Sequence, residues 1–154
     1  MKSFVNSQLA GKWYQIARTC NRFENAFVEI MYYFSVSCEN CCDLLYVGVK
    51  EDRSKVLKKL SLKILTKNAC DYMVIQKGLL RKTLKILTFD NKNGILILSD
   101  NKMKYISILS KKPYINHGAL ENCLRNIDFQ NDKIELYSYG GIRGREELEG
   151  YFEK

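Results

Sequence analysis

From Lys12 to Ser110 the chain alternates apolar and polar residues with a period of two, the pattern of strands that bury one face and wet the other. It is clearest over Val56–Leu65, where Leu60, Leu62 and Ile64 alternate with Lys59, Ser61 and Lys63. The same reading predicts strands at Lys12–Thr19, Val28–Ser37, Asp43–Lys50, Asp71–Lys77, Thr83–Phe89, Ile95–Ser99 and Lys104–Ser110, eight with the first. Between them lie short polar links, among them Glu51-Asp52-Arg53-Ser54, Asp90-Asn91-Lys92-Asn93-Gly94 and Ser99-Asp100-Asn101-Lys102. Their residues tolerate Asx-turn and left-handed conformations, so antiparallel hairpins are the expected connection.

After Pro113 the period changes. Leu120, Cys123, Leu124 and Ile127 fall at i, i+3, i+4 and i+7, one apolar stripe of a helix with Asn116 as its N-cap. A last strand, Lys133 to Tyr139, precedes Gly140-Gly141. Eight consecutive hairpin-linked strands suit a closed up-and-down barrel, because closure removes both exposed edges. The expected fold is therefore all-β: an eight-stranded antiparallel barrel, a C-terminal helix packed on its outside and a short ninth strand. A two-sheet sandwich is the alternative that the pattern alone leaves open. Residues 1–139 read as one domain, and 140–154 as a charged, Gly-punctuated tail that is loose or used in forming a homo-oligomer.

Composition adds limits. The 154 residues are 46% hydrophobic and 27% charged with one Pro, which sets the chain apart from disordered and low-complexity sequences. The net charge of +8 raises nucleic acid and anionic lipid as partners. Nucleic acid is disfavoured, since no recognition helix or aromatic RNA-binding platform accompanies the charge. His117 is the only histidine, which rules out three-His zinc catalysis within one chain.

Leu9-Ala10-Gly11-Lys12-Trp13-Tyr14-Gln15-Ile16-Ala17-Arg18 resembles the G-x-W signature of the lipocalin family, in its bacterial outer-membrane and apolipoprotein D-like branch. Asn21-Arg22-Phe23-Glu24-Asn25 is similar to the R-F-E loop that closes one end of those barrels, and Tyr105 to Pro113 resembles their Y-x-W-I-L-S-R-x-P pattern. Lys111 stands where the family has an arginine across the signature tryptophan, and Ser99-Asp100 stands for the T-D-Y motif without its tyrosine. The resemblance implies a lipocalin barrel with Gly11, Trp13 and Lys111 as its structural signature. It also implies a small hydrophobic ligand, such as a fatty acid or lysophospholipid, carried inside.

With Trp13 inward, alternation turns Gln15 and Ala17 inward and Tyr14 and Ile16 outward. Tyr105, Ser107, Leu109 and Lys111 then share the inward parity of the last barrel strand, with Ile106 and Ile108 facing the helix. Carried along the other strands, parity places Ile30, Tyr32, Phe34 and Val36 inside, then Leu44, Tyr46 and Gly48, then Tyr72, Val74 and Gln76. This apolar and aromatic lining suits a small-molecule pocket; the competing reading is that the same side chains fill the barrel as core. Tyr32, Tyr46, Tyr72, Tyr105, Gln15 and Gln76 are candidates to hold a polar group of the ligand. Lysines 55, 58, 59, 63 and 67, with Lys77, Arg81, Lys82 and Lys85, would favour an anionic ligand or an anionic membrane surface if they lie near the open rim, or else form an evenly solvated coat.

Six cysteines stand at 20, 38, 41, 42, 70 and 123. Cys38-x-x-Cys41-Cys42 can bind a metal ion or supply disulfide partners. No second CxxC pair supports a zinc ribbon, and neither a metal nor another cofactor is expected. Catalysis by a cysteine thiolate, known in some lipocalins with a cavity thiol, is one alternative function. A ligand-free protein- or membrane-binding module is another. Export is expected if a leader precedes Met1 in the natural chain, and a cytosolic protein if Met1 is its start.

Overall fold

The computed structural model describes residues 6–19, 21, 23–125, 127 and 136–138. A short 3₁₀ helix (Asn6–Leu9) leads into β1 (Gly11–Thr19), β2 (Phe27–Cys38), β3 (Cys41–Lys50), β4 (Lys55–Lys67), β5 (Cys70–Lys77), β6 (Leu80–Asp90), β7 (Ile95–Ser99) and β8 (Ile106–Ser110). Helix α1 (His117–Arg125) and a short β9 (Leu136–Ser138) follow. Each strand from β2 to β8 pairs antiparallel with the next, β8 pairs with β1, and β1 pairs back with β2, closing an eight-stranded barrel. β9 pairs with the end of β1. The barrel expected from the alternation is thus the fold observed, rather than a sandwich. The expected tail, 140–154, lies outside the described residues.

Trp13, Ile30, Tyr32, Phe34, Leu44, Leu62, Met73, Leu96, Leu98 and Leu109 belong to one buried cluster inside the barrel. A second cluster sits under the helix, where Ile16, Ile95, Ile97, Ile106 and Ile108 meet Ile115, Leu120, Cys123 and Leu124. The five residues of β7 are all buried because it faces the interior with its leucines and the helix with its isoleucines. Asn116 caps α1 as expected: its Oδ1 accepts the Ala119 amide at 3.1 Å.

Antiparallel order puts the β2–β3, β4–β5 and β6–β7 turns at one end and the β1–β2, β3–β4, β5–β6 and β7–β8 connections at the other. The first end is shut. Trp13 donates from Nε1 to the Leu9 carbonyl at 2.7 Å, and Lys111 Nζ lies 5.2 Å from the Trp13 ring while donating to the Ala10 carbonyl at 2.8 Å. Lys111 therefore keeps the cation over the indole, and the positive φ of Gly11 (+110°) admits the chain beneath it. Cys38 and Cys41 form a disulfide across the hairpin at this end.

The inward assignments of Ala17 and of Tyr72, Val74 and Gln76 do not hold, and Val36 is exposed. In β1 the pairing with β8 shifts between Gln15 and Ala17, a bulge that breaks alternation. Ala17 thus joins Ile16 in the outer cluster under the helix, and Arg18 turns into the barrel in its place. In β5 the register pairs Ile64 with Met73 and Leu62 with Ile75. Cross-strand partners share a face, so Met73 and Ile75 are inside with Leu62 and Ile64, and Tyr72, Val74 and Gln76 face outward. Both parities of β5 are apolar, which left the choice to the register. Val36, also placed inside, is 44% exposed at the end of β2.

Candidate functional site

The open end leads into a cavity of about 610 Å³. Its walls are Tyr32 of β2, Leu44 and Tyr46 of β3, Leu60 of β4, Ile75 of β5, Leu84 of β6 and Tyr105 beside β8. Asn21, Phe23 and Glu24 of the β1–β2 connection lean over it, and Lys58, Lys77, Leu80, Arg81 and Lys82 stand around its mouth. Of the sequence-predicted site residues, Tyr32, Leu44, Tyr46 and Tyr105 line this space. Ile30 and Phe34 lie inside as packed core, and Gln15 and Ser107 lie in the buried polar layer beside it. The barrel is therefore filled in its closed half and hollow in its open half, so the two competing readings of the interior each describe part of it.

A buried ion pair joins the wall to the β1–β2 connection. Arg18 is fully buried and donates from Nη1 to Gln15 Oε1 (2.8 Å) and from Nη2 to the carbonyls of Glu24 (2.6 Å) and Phe27 (3.0 Å). Its Nε lies 4.0 Å from Glu24 Oε1. The Glu24 carboxylate also accepts the hydroxyls of Tyr46 (2.7 Å) and Tyr105 (3.1 Å) and the Asn21 side-chain amide (3.0 Å). Gln15 Nε2 donates to Ser107 Oγ at 2.9 Å. Burial first, then the Glu24 charge, push the Tyr46 and Tyr32 phenols far above the ordinary tyrosine value, and burial does the same for Tyr105. These phenols stay protonated, and those of Tyr46 and Tyr105 donate to the Glu24 carboxylate. Glu24 was legible as part of the loop motif; Arg18 was not, because only the bulge brings it inside.

The polar groups of the wall are thus spent on one another, and the free charge at the cavity stands at its mouth. Parity sends Lys58 and Lys82 over the opening, with Lys58 Nζ 5.7 Å from the Tyr46 ring and Lys82 Nζ 5.1 Å from the Tyr105 ring. Lys77 and Arg81 flank them across the β5–β6 hairpin. Part of the basic run on β4 to β6 therefore serves the rim, while Lys59 and Lys63 alternate with the inward leucines and face solvent.

The described thiols lie away from this space. Cys42 is inside the barrel but in its packed half, on the inward parity of Leu44 and Tyr46, which corrects the expectation that no strand carries an inward cysteine. Cys70 begins β5 at the closed end. Cys123 lies on the buried face of α1 with Sγ 3.9 Å from Asp90 Oδ2, and burial together with that carboxylate pushes its thiol up to about 11. Cys20 lies outside the described residues. No group of three or more metal-ligating side chains occurs among the described residues.

A closed eight-stranded barrel with an apolar cavity at one end and a helix on its flank is an up-and-down β-barrel. Its fold is that of the lipocalins. It is similar to a major allergen of cockroaches, Per a 4 (16% identity, 96% of each chain covered, TM-score 0.66). It also resembles insecticyanin of the tobacco hornworm Manduca sexta (17% identity, covering 90% of this chain and 81% of that one, TM-score 0.62). A third similar structure is a biogenic amine-binding protein (11% identity, 90% of this chain and 83% of that one, TM-score 0.60). No family model and no curated protein matches the sequence.

Proposed function

We propose that this chain is a non-catalytic lipocalin of the bacterial outer-membrane and apolipoprotein D-like branch, and that it carries an amphiphilic anion such as a fatty acid or lysophospholipid. The observation that carries the reading is the hollow open half of the barrel, apolar in its walls and ringed by Lys58, Lys77, Arg81 and Lys82. A volume of about 610 Å³ lies within the range of small-molecule sites. Burying a chain of about ten carbons contributes on the order of 8 kcal/mol before ordering costs, which supports micromolar binding. The tail of such a ligand would lie against Leu44, Leu60, Ile75 and Leu84, with its carboxylate or phosphate among the rim cations. A biogenic amine is a cation, and this rim favours the opposite sign.

Displacement of a fluorescent fatty acid measures this directly. The wild type is expected to bind oleate and lysophosphatidic acid with micromolar affinity. Lys58→Glu/Lys82→Glu is expected to weaken both about tenfold, while neutral retinol is held equally by the two proteins. Failure to take up either anion, or equal affinity in the charge-reversed variant, overturns the reading.

A further inference from the structure

The open end carries apolar side chains that the barrel does not use. Phe23 is 78% exposed, Leu57 61% and Leu80 76%, and Leu79 is fully exposed. All four belong to the end where the β1–β2, β3–β4 and β5–β6 connections meet. At the closed end and beside it, Val36, Leu65 and Tyr114 are only about half-exposed. Leu79 is the most telling. It occupies the tip of the two-residue turn Gly78-Leu79, between the paired Lys77 and Leu80. Gly78 supplies the positive φ (+59°) that such a turn needs at its first position, and turns of this kind favour a small polar residue at the second. Neither the turn nor the core calls for a leucine there.

Charge surrounds the same tips. Lys77, Arg81 and Lys82 bracket the hairpin, and Lys55 and Lys58 bracket Leu57. The acids of this end are mostly tied within their own structure. Asp52 accepts the Ser54 amide and hydroxyl, Asp100 accepts the amides of Lys104 and Tyr105, and Glu24 is held by Arg18 and two tyrosines. Exposed aliphatic and aromatic tips within a ring of lysine and arginine fit one kind of surface: apolar residues enter the boundary of a bilayer while cations meet anionic headgroups.

We propose that the open rim docks on an anionic lipid bilayer, with Phe23, Leu57 and the Leu79-Leu80 tip entering the interface and the mouth of the cavity facing the lipid. The two signals act together, since neither a few apolar tips nor a modest cationic ring holds a protein of this size at a membrane alone. Charge complementarity selects the bilayer over a second copy of the chain, because two identical basic rims repel.

Co-sedimentation tests it with the full chain and vesicles of phosphatidylcholine and phosphatidylserine at about 3:1, against vesicles of phosphatidylcholine alone. Binding to the mixed vesicles is expected to exceed binding to neutral ones at least about tenfold and to weaken as salt is added. Leu57 and Leu79 do not line the cavity, so Leu57→Ser/Leu79→Ser is expected to lose vesicle binding about tenfold while keeping fatty-acid affinity and the far-ultraviolet spectrum of the wild type. Docking and ligand uptake therefore fail independently. The proposal is overturned if the wild type stays in the supernatant, if it binds neutral vesicles as well, if the double variant binds unchanged, or if sedimentation velocity shows a dimer that Leu79→Ser dissociates.

Discussion

The buried Arg18–Glu24 pair ties a connecting loop to the barrel wall. Its two charges offset each other out of water, and Gln15, Asn21, Tyr46 and Tyr105 satisfy most of the remaining valences. Removing one partner strands the other, so Arg18→Met is expected to lower unfolding stability by about 3–5 kcal/mol in urea. Arg18→Met/Glu24→Gln should recover part of that loss, and a simple sum of the two single effects would show that the groups do not couple. Cys123 gives a second test at this scale. Its thiol is raised from 9.0 to about 11 in the folded chain, so between those values the folded state keeps a proton that the unfolded state has lost. Stability from this group is present below pH 9 and falls as pH climbs toward 11. Cys123→Ala should flatten that part of the stability curve, measured as the difference from wild type because the buried tyrosines add a slope of the same sign.

Strands and hairpins were legible because a half-buried strand writes its parity into the sequence. At β8, Tyr105 just before the strand and Ser107 and Leu109 within it turn inward, and Ile106 and Ile108 meet the helix, as alternation implies. β1 and β5 fail for different reasons: the β1 bulge is invisible in composition, and β5 is apolar on both faces, so only its pairing with β4 decides. The cavity mouth was less legible still, because Lys58, Lys77 and Lys82 look like surface lysines until the register sets them over the opening. Gly48 of β3 marks a close approach of another kind. A Cβ there would stand 2.6 Å from the Phe27 ring, which covers this glycine from the start of β2. Gly48→Ala must displace that ring, and the Phe27 carbonyl accepts from Arg18. A loss of about 1–3 kcal/mol is expected in urea unfolding, and Phe27→Leu/Gly48→Ala should restore part of it if the ring is the obstacle.

Across the whole molecule the barrel is divided along its axis. Trp13, Phe89, Leu96, Leu98 and Leu109 belong to the packed interior, while Leu60, Ile75 and Leu84 border open space. Stability and ligand affinity should therefore respond to different substitutions. Leu98 is fully buried, so Leu98→Ala removes packing that cannot readily refill and is expected to cost about 2–5 kcal/mol of stability with fatty-acid affinity little changed. Ile75 is partly exposed at the cavity wall. Ile75→Trp adds bulk where there is room for it, so the unfolding midpoint should hold while oleate affinity drops at least about tenfold. Urea unfolding and the displacement titration, run on both variants, give a crossed result if the division is real. A loss of affinity in Leu98→Ala equal to that in Ile75→Trp would mean that the packed half opens to receive ligand and that the barrel acts as one adaptable cavity.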